Sequence, residues 1–305
     1  MVMPSGSIYG YIGDQMTLAQ ALFMGLLQGA TELFPVSSLG HAVLIPSLLH
    51  WGFKQSDPSF VPFLVLLHLG TAGALLFIYR SQWVAIIKGF FTAAVRGRIE
   101  TPTERLAMLL LVGTIPAGIL GVYLEHELKN LFASPTAAAC FLIANGFLML
   151  GAEVLRRRAE RRAAVTAKTR VEQEESFGAA EQISFRAAAL VGACQALALL
   201  PGISRSGITI GGGLLAGLRH EEAARFSFLL ATPIIAAAGV LEIPQLFSTA
   251  VPWAEYLAAA TLAGSAAYLS ARFLLRYFRS GRLDPYGWYC AAAGVISLAL
   301  LTFRP

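Results

Sequence analysis

The 305-residue chain is 56% hydrophobic, only 13% charged, and has a mean hydropathy of +0.63. A soluble chain carries about 25% charged residues, so this composition excludes a water-soluble enzyme and marks an integral membrane protein. The net charge of +5 does not signal nucleic-acid binding, because most basic residues sit in short segments beside apolar stretches, as the positive-inside rule expects.

Met1 to Asp14 has no basic segment followed by an apolar core and cleavage site, so no removable signal peptide is expected there. The first apolar region, 17–50, is interrupted near its middle by Pro35, Ser37, Ser38 and Gly40. Its pieces are too short to cross a bilayer alone, which predicts a re-entrant hairpin of two half-helices. Uninterrupted spans follow at about 61–79, 106–124 and 136–155, each close to the roughly 20 apolar residues a crossing needs. A polar linker over 156–182 opens with Arg156, Arg157, Arg158, Arg161 and Arg162. The second half repeats the order: a broken region at 184–218, then spans at 223–243, 254–276 and 286–303.

Arginine and lysine place the linker in the cytoplasm, and span counting then puts segments 80–105 and 277–285, both basic, on the same side. The expected fold is an all-α polytopic membrane protein of six transmembrane helices and two re-entrant hairpins. Residues 1–155 form a first repeat, 156–182 a basic cytoplasmic linker, and 183–305 a second repeat. Three crossings per half is an odd number, so the repeats are inverted and the hairpin loops can meet near the midplane.

Each broken region holds a polar string, from Gln28 to His41 and from Pro201 to Gly207. Gln28 and Glu32 are four residues apart and share one helix face. Pro35 disfavours helix at Phe34 and ends the first half-helix. Ser37 or Ser38 can cap the next, and Ser204 and Ser206 have the same relation to the half-helix after Pro201. Helix N-terminal amides attract phosphate, and the planar fork of Arg205 suits two phosphate oxygens. A carboxylate beside such a pocket calls for a hard divalent ion, Mg²⁺ or Ca²⁺, held by Glu32 and the Gln28 carbonyl. His41 suits proton transfer, with Ser38 or a bound water as nucleophile. These parts describe metal-assisted phosphoryl transfer.

Blander readings stand beside this one. Glu32 and Arg205 also fit a buried structural ion pair, and the serines are caps before anything else. His68 and Asn145, alone in apolar spans, read as packing or hydrogen-bonding residues, and Glu153, Glu242 and Glu255 as interfacial. Cys140, Cys194 and Cys290 lack metal-ligand spacing and read as packing residues. The Gly, Ala and Ser runs of 257–271 read as close helix packing.

Gln28-x-x-x-Glu32, Pro35-Val36-Ser37-Ser38-x-Gly40-His41 and Pro201-Gly202-x-Ser204-Arg205-Ser206-Gly207 closely resemble the motifs of the undecaprenyl-diphosphate phosphatase, or bacitracin-resistance, family. The resemblance extends through Gln195-Ala196-Leu197-Ala198 and Phe226-Ser227-Phe228-Leu229-Leu230-x-x-Pro233, and the span layout matches over nearly the whole chain. It implies hydrolysis of a C55 polyprenyl diphosphate to its monophosphate at the bacterial inner membrane, recycling the carrier for peptidoglycan synthesis. By position it implies metal handling and catalysis for Gln28 and Glu32, catalytic roles for Ser38 and His41, and phosphate binding by Arg205 with Ser37, Ser204, Ser206 and Thr209. Gln28 stands where many members have Glu, and Leu39 where Thr is common. The expected partners are the polyprenyl lipid and the bilayer; a homo-oligomer is compatible with the sequence. The topology opens the site to the periplasmic side. The rival reading is a flippase or transporter of an anionic polyprenyl lipid, since broken helices meeting at the midplane are also a transporter plan.

Overall fold

The computed structural model describes residues 16–52, 59–132, 134–166, 179–247 and 251–303, so the readings on Met1–Asp14 and on 167–178 lie outside the described residues. Among these residues the regular elements are all helical. Thr17 starts α1 (Leu18–Thr31): its hydroxyl accepts from the Gln20 amide, while the Gln20 side chain accepts from the Thr17 amide. The helix stops at Glu32, before Pro35, and α2 (Ser38–Leu48) begins beyond the turn. The spans α3 (Phe60–Ile78), α5 (Pro102–Phe132) and α6 (Pro135–Thr166) complete the first half, with α4 (Arg80–Arg96) between the first two of them. In the second half, α7 (Phe185–Cys194) runs through a 3-10 turn (Gln195–Leu199) and a break to α8 (Arg205–Leu215). The spans α9 (His220–Phe247), α10 (Trp253–Tyr277) and α11 (Asp284–Thr302) follow.

Among the described residues, six helices are long and apolar enough to cross a membrane, those of α3, α5, α6, α9, α10 and α11. Exposed Phe77, Phe147, Val295 and Ile296 lie on their outer faces, where acyl chains replace water. The two broken regions are each a pair of short helices, split where Pro35 and Pro201 lie.

Two local expectations change. Segment 80–105 is not simply a loop: it contains α4, whose Val84, Ile87, Phe91 and Val95 form one exposed apolar stripe beside Lys88 and Arg96. That pattern belongs to a helix lying in the membrane interface. The basic start of the linker, from Arg156, is a helical continuation of α6.

The first helix of each short pair packs on the middle span of the other half: α1 lies on α10, and α7 lies on α5. The approach is close enough to require glycine. A Cβ on Gly29 would stand 2.1 Å from the Ala263 carbonyl oxygen, and one on Gly192 2.1 Å from that of Gly113. The small residues of 257–271 therefore do serve helix packing.

The basic ends converge. Arg105 donates to the carbonyls of Glu181 and Ile183, at 2.7 and 2.9 Å. Glu153, read from sequence as interfacial, lies at this basic end with no solvent exposure. It accepts from Arg282 (2.8 Å), from the Leu283 amide (3.2 Å) and lies 3.0 Å from His220 Nε2. Arg157 adds a bond to Asp284. These contacts join α6, α9 and α11 at one end of the bundle. Hydrogen bonding to Glu153 raises the pKa of Arg282 above its ordinary value.

Candidate active site

The two helix breaks touch. Added to Gly40, a Cβ would lie 2.8 Å from Gly202 Cα, and Gly202 itself has φ +109°, a conformation that favours glycine. Around this contact the strings are stitched together. Ser37 Oγ donates to the Ile203 carbonyl (3.2 Å), and Ser206 Oγ donates to the carbonyls of Glu32 (3.2 Å) and Phe34 (3.1 Å). Asn145, wholly buried in α6, completes the clamp: its Oδ1 accepts from the Ser204 amide at 3.0 Å, and its Nδ2 donates to the Pro35 carbonyl at 3.4 Å. Cys290, also buried, faces the same carbonyl.

Of the candidate caps, Ser37 and Ser204 do the capping. Ser37 Oγ accepts from the Gly40 amide (3.2 Å) and Ser204 Oγ from the Gly207 amide (3.1 Å). Ser37 holds φ +67°, a strained left-handed conformation for a residue with a side chain. That turn leaves Ser38 free of capping, and its hydroxyl donates to Glu32 Oε2 at 2.5 Å.

Glu32 is the hub. Oε2 also accepts from Gln28 Nε2 (3.0 Å) and lies 3.2 Å from His68 Nε2, while Oε1 accepts from Arg205 Nη2 (2.7 Å). The ion pair that a structural reading allowed therefore exists, but it stands on the wall of a cavity of about 310 Å³. Glu32, Ser37, Ser38, His68, Ser204 and Arg205 form its polar end, with Gln195 beside them. Arg205 Nη1 is buried with no hydrogen-bond partner among the described residues, a donor left over for an anion. Apart from Glu242, the rest of the wall is apolar: Val61, Leu64 and Val65 of α3, Ala117, Gly118 and Gly121 of α5, Ile234, Ala238 and Leu241 of α9.

These residues lie in the first half of α3 and the later halves of α5 and α9. The cavity therefore extends away from the basic end of the bundle. Glu242, read from sequence as interfacial, is buried on this wall.

The other expected site residues sit differently. Gln28 lies behind Glu32 on the buried stripe of α1 and does not line the cavity. Thr209 Oγ1 is turned to Ser227 (2.5 Å) and the Arg205 carbonyl (2.8 Å), and Ser206 to the first loop's backbone, so neither lines the cavity. His41 also stays outside: Nδ1 is 2.7 Å from the Ser37 carbonyl oxygen, Nε2 is 2.8 Å from Tyr289 Oη, and its ring stacks on Tyr289. The imidazole that reaches Glu32 is that of His68, and the side chain that clamps the loops is that of Asn145. The available signal for both was a polar residue in an apolar span. Neither has a sequence-local motif to say which loop it meets.

Among the described residues, six helices long and apolar enough to cross a membrane, with two broken helix pairs meeting at a cavity that Glu32 and Arg205 line, define a polytopic membrane protein. The family model described as "Bacitracin resistance protein BacA" matches residues 21–296. The chain is 46% identical to "Undecaprenyl-diphosphatase 2" of Chromobacterium violaceum over 93% of its own length and 98% of that protein's. It is 47% identical to "Undecaprenyl-diphosphatase" of Mycolicibacterium paratuberculosis, over 95% and 99% of the two chains. A similar protein of the same name in Acidiphilium cryptum is 46% identical, over 94% and 99%. The chain belongs to the bacitracin resistance protein BacA family.

Proposed function

We propose that this protein is an integral membrane undecaprenyl-diphosphatase, hydrolysing undecaprenyl diphosphate to undecaprenyl phosphate and inorganic phosphate. This returns the lipid carrier to peptidoglycan synthesis and confers bacitracin resistance. The observation that carries the reading is Glu32, held by Arg205 and joined to the Ser38 hydroxyl at 2.5 Å on the wall of one cavity. The names of the relatives support the same substrate.

The diphosphate lies at the polar end and the isoprenoid tail along the apolar wall between α5 and α9. Ser38 Oγ attacks the terminal phosphorus and its proton passes to Glu32 Oε2. The bridging P–O bond breaks, and undecaprenyl phosphate leaves. Water then hydrolyses the phosphoserine and releases inorganic phosphate. Arg205, the caps of α2 and α8 and their amides hold the phosphate oxygens. Ser206 and Thr209 support that site by fixing the backbone around Arg205. His41 braces the turn that presents Ser38.

The oxygen donors also suit a hard divalent cation, Mg²⁺ or Ca²⁺. Among the described residues no three His, Cys, Asp or Glu side chains form a ready cage. Magnesium commonly binds through one or two carboxylates plus substrate phosphates, and Glu32 would serve in that way, with Gln28 behind it bonded to the carboxylate rather than reaching the cavity. Such an ion would neutralise charge on the diphosphate. The cavity's place on the halves of α3, α5 and α9 remote from the basic end supports an opening to the periplasmic side of the inner membrane.

Phosphate release from undecaprenyl diphosphate by the purified protein, with and without chelator, tests this. Turnover that falls with the chelator and returns with Mg²⁺ or Ca²⁺ is expected. Lipid movement across sealed vesicles with no phosphate release would instead establish a transporter.

A further inference from the structure

We infer that His68 is a positioning residue of the site, fixing the Glu32 carboxylate that receives the nucleophile's proton. The inference rests on the phosphatase reading and deepens it.

The geometry is set from within α3. His68 Nδ1 lies 2.7 Å from the Leu64 carbonyl oxygen, one turn earlier. A carbonyl only accepts, so Nδ1 carries a hydrogen and the ring's orientation is fixed. That orientation turns Nε2 towards Glu32 Oε2 at 3.2 Å. With a proton on each nitrogen the ring donates to both acceptors.

The shared atom matters most. Oε2 is also the acceptor of the Ser38 hydroxyl, and Oε1 is held by Arg205. Without His68, Oε2 would keep only Gln28 Nε2, one turn back on the same helix, and Ser38 itself, so nothing from outside the first broken region would hold that oxygen against the broad, soft last torsion of glutamate. With His68 on the second oxygen, the carboxylate plane is pinned and one lone pair of Oε2 stays on Ser38. His41 cannot do this, because both its nitrogens are occupied by Ser37 and Tyr289 and its ring lies outside the cavity.

The alternative is that His68 merely ties α3 to α1. The two roles separate in kinetics. Three variants are measured in detergent for kcat, KM and thermal unfolding: His68→Ala, His68→Gln and His68→Asn. The Gln amide nitrogen reaches the place of Nε2 and can donate to Glu32, whereas the Asn amide reaches only the place of Nδ1. Positioning predicts a kcat loss of about 10- to 100-fold in His68→Ala and His68→Asn, with KM unchanged. It predicts recovery of most of that loss in His68→Gln, although the charge is gone. A folded His68→Ala protein with wild-type kcat overturns the inference, as does a His68→Gln protein no better than His68→Asn. A rise in KM at unchanged kcat also overturns it. Absence of phosphate release from the wild type counts against the phosphatase reading itself, so the two failures are distinguishable.

Discussion

Arg205 Nη2 donates to Glu32 Oε1 at 2.7 Å, joining residues 173 positions apart across the meeting point of two broken helices. Each partner is expensive alone in this setting: truncating one side of a buried pair costs about 3–5 kcal/mol, because the other charge is left uncompensated. The pair is thus both a structural tie and the electrostatic floor of the cavity, and variants must be chosen to separate the two.

Glu32→Gln keeps the shape and an acceptor for Arg205 but removes the proton-accepting charge beside Ser38. Phosphate release should fall at least about 100-fold, the lower range for general-base contributions. The protein should still elute as a folded species in detergent. Undiminished turnover in the folded variant would remove Glu32 from the chemistry.

Asn145→Ala withdraws both bonds that clamp the loops and strands the Ser204 amide and Pro35 carbonyl, at about 1–3 kcal/mol for each group left unpaired. The expected result is a lower unfolding temperature together with a lower kcat, since Ser204 and Pro35 flank the residues that meet Glu32. A thermal melt in detergent beside a phosphate assay reads both.

Gly202→Ala and Gly151→Ala add the same methyl group at two backbone positions that differ in conformation and in surroundings. At Gly202 a methyl group would stand 2.3 Å from the Ala138 carbonyl oxygen at φ +109°, so little folded protein should be recovered. At Gly151 nothing lies within 4 Å of the added carbon, and alanine should be neutral or stabilising by about 0.4–1 kcal/mol. The yield of monodisperse protein and its melting temperature compare them directly.

Gly118→Leu places a branched side chain on the cavity's apolar wall, where an added Cβ meets nothing within 4 Å. KM for undecaprenyl diphosphate should rise about tenfold, the scale of apolar pocket discrimination, while a short-chain diphosphate should be cleaved at the wild-type rate. Equal effects on both substrates would place the tail elsewhere.

Much of the fold was legible in the letters. The six apolar spans lie where expected, although the helices of α5 and α6 run on past 124 and 155 to Phe132 and Thr166, because uninterrupted apolar length is a local property and the bilayer imposes it. The breaks at Pro35 and Pro201 were equally local. Helix α4 was less so: its apolar stripe alternates with basic residues and falls short of a span. Within the site, the Gln28–Glu32 bond follows from helical spacing, and the caps were narrowed to Ser37 or Ser38 and to Ser204 or Ser206.

The sequence by itself determined an all-helical membrane protein with two interrupted regions carrying a carboxylate, hydroxyls and an arginine. Hydropathy, proline and helical spacing act over neighbouring residues and need no partner. Only the tertiary structure decided which imidazole reaches Glu32, which serine is freed from capping, and that Asn145 spans both loops. Those outcomes depend on which faces of α2, α3 and α6 are turned inward by close packing against other helices. His41 sits beside Ser38 in sequence yet faces Tyr289, while His68, in another helix, faces the carboxylate.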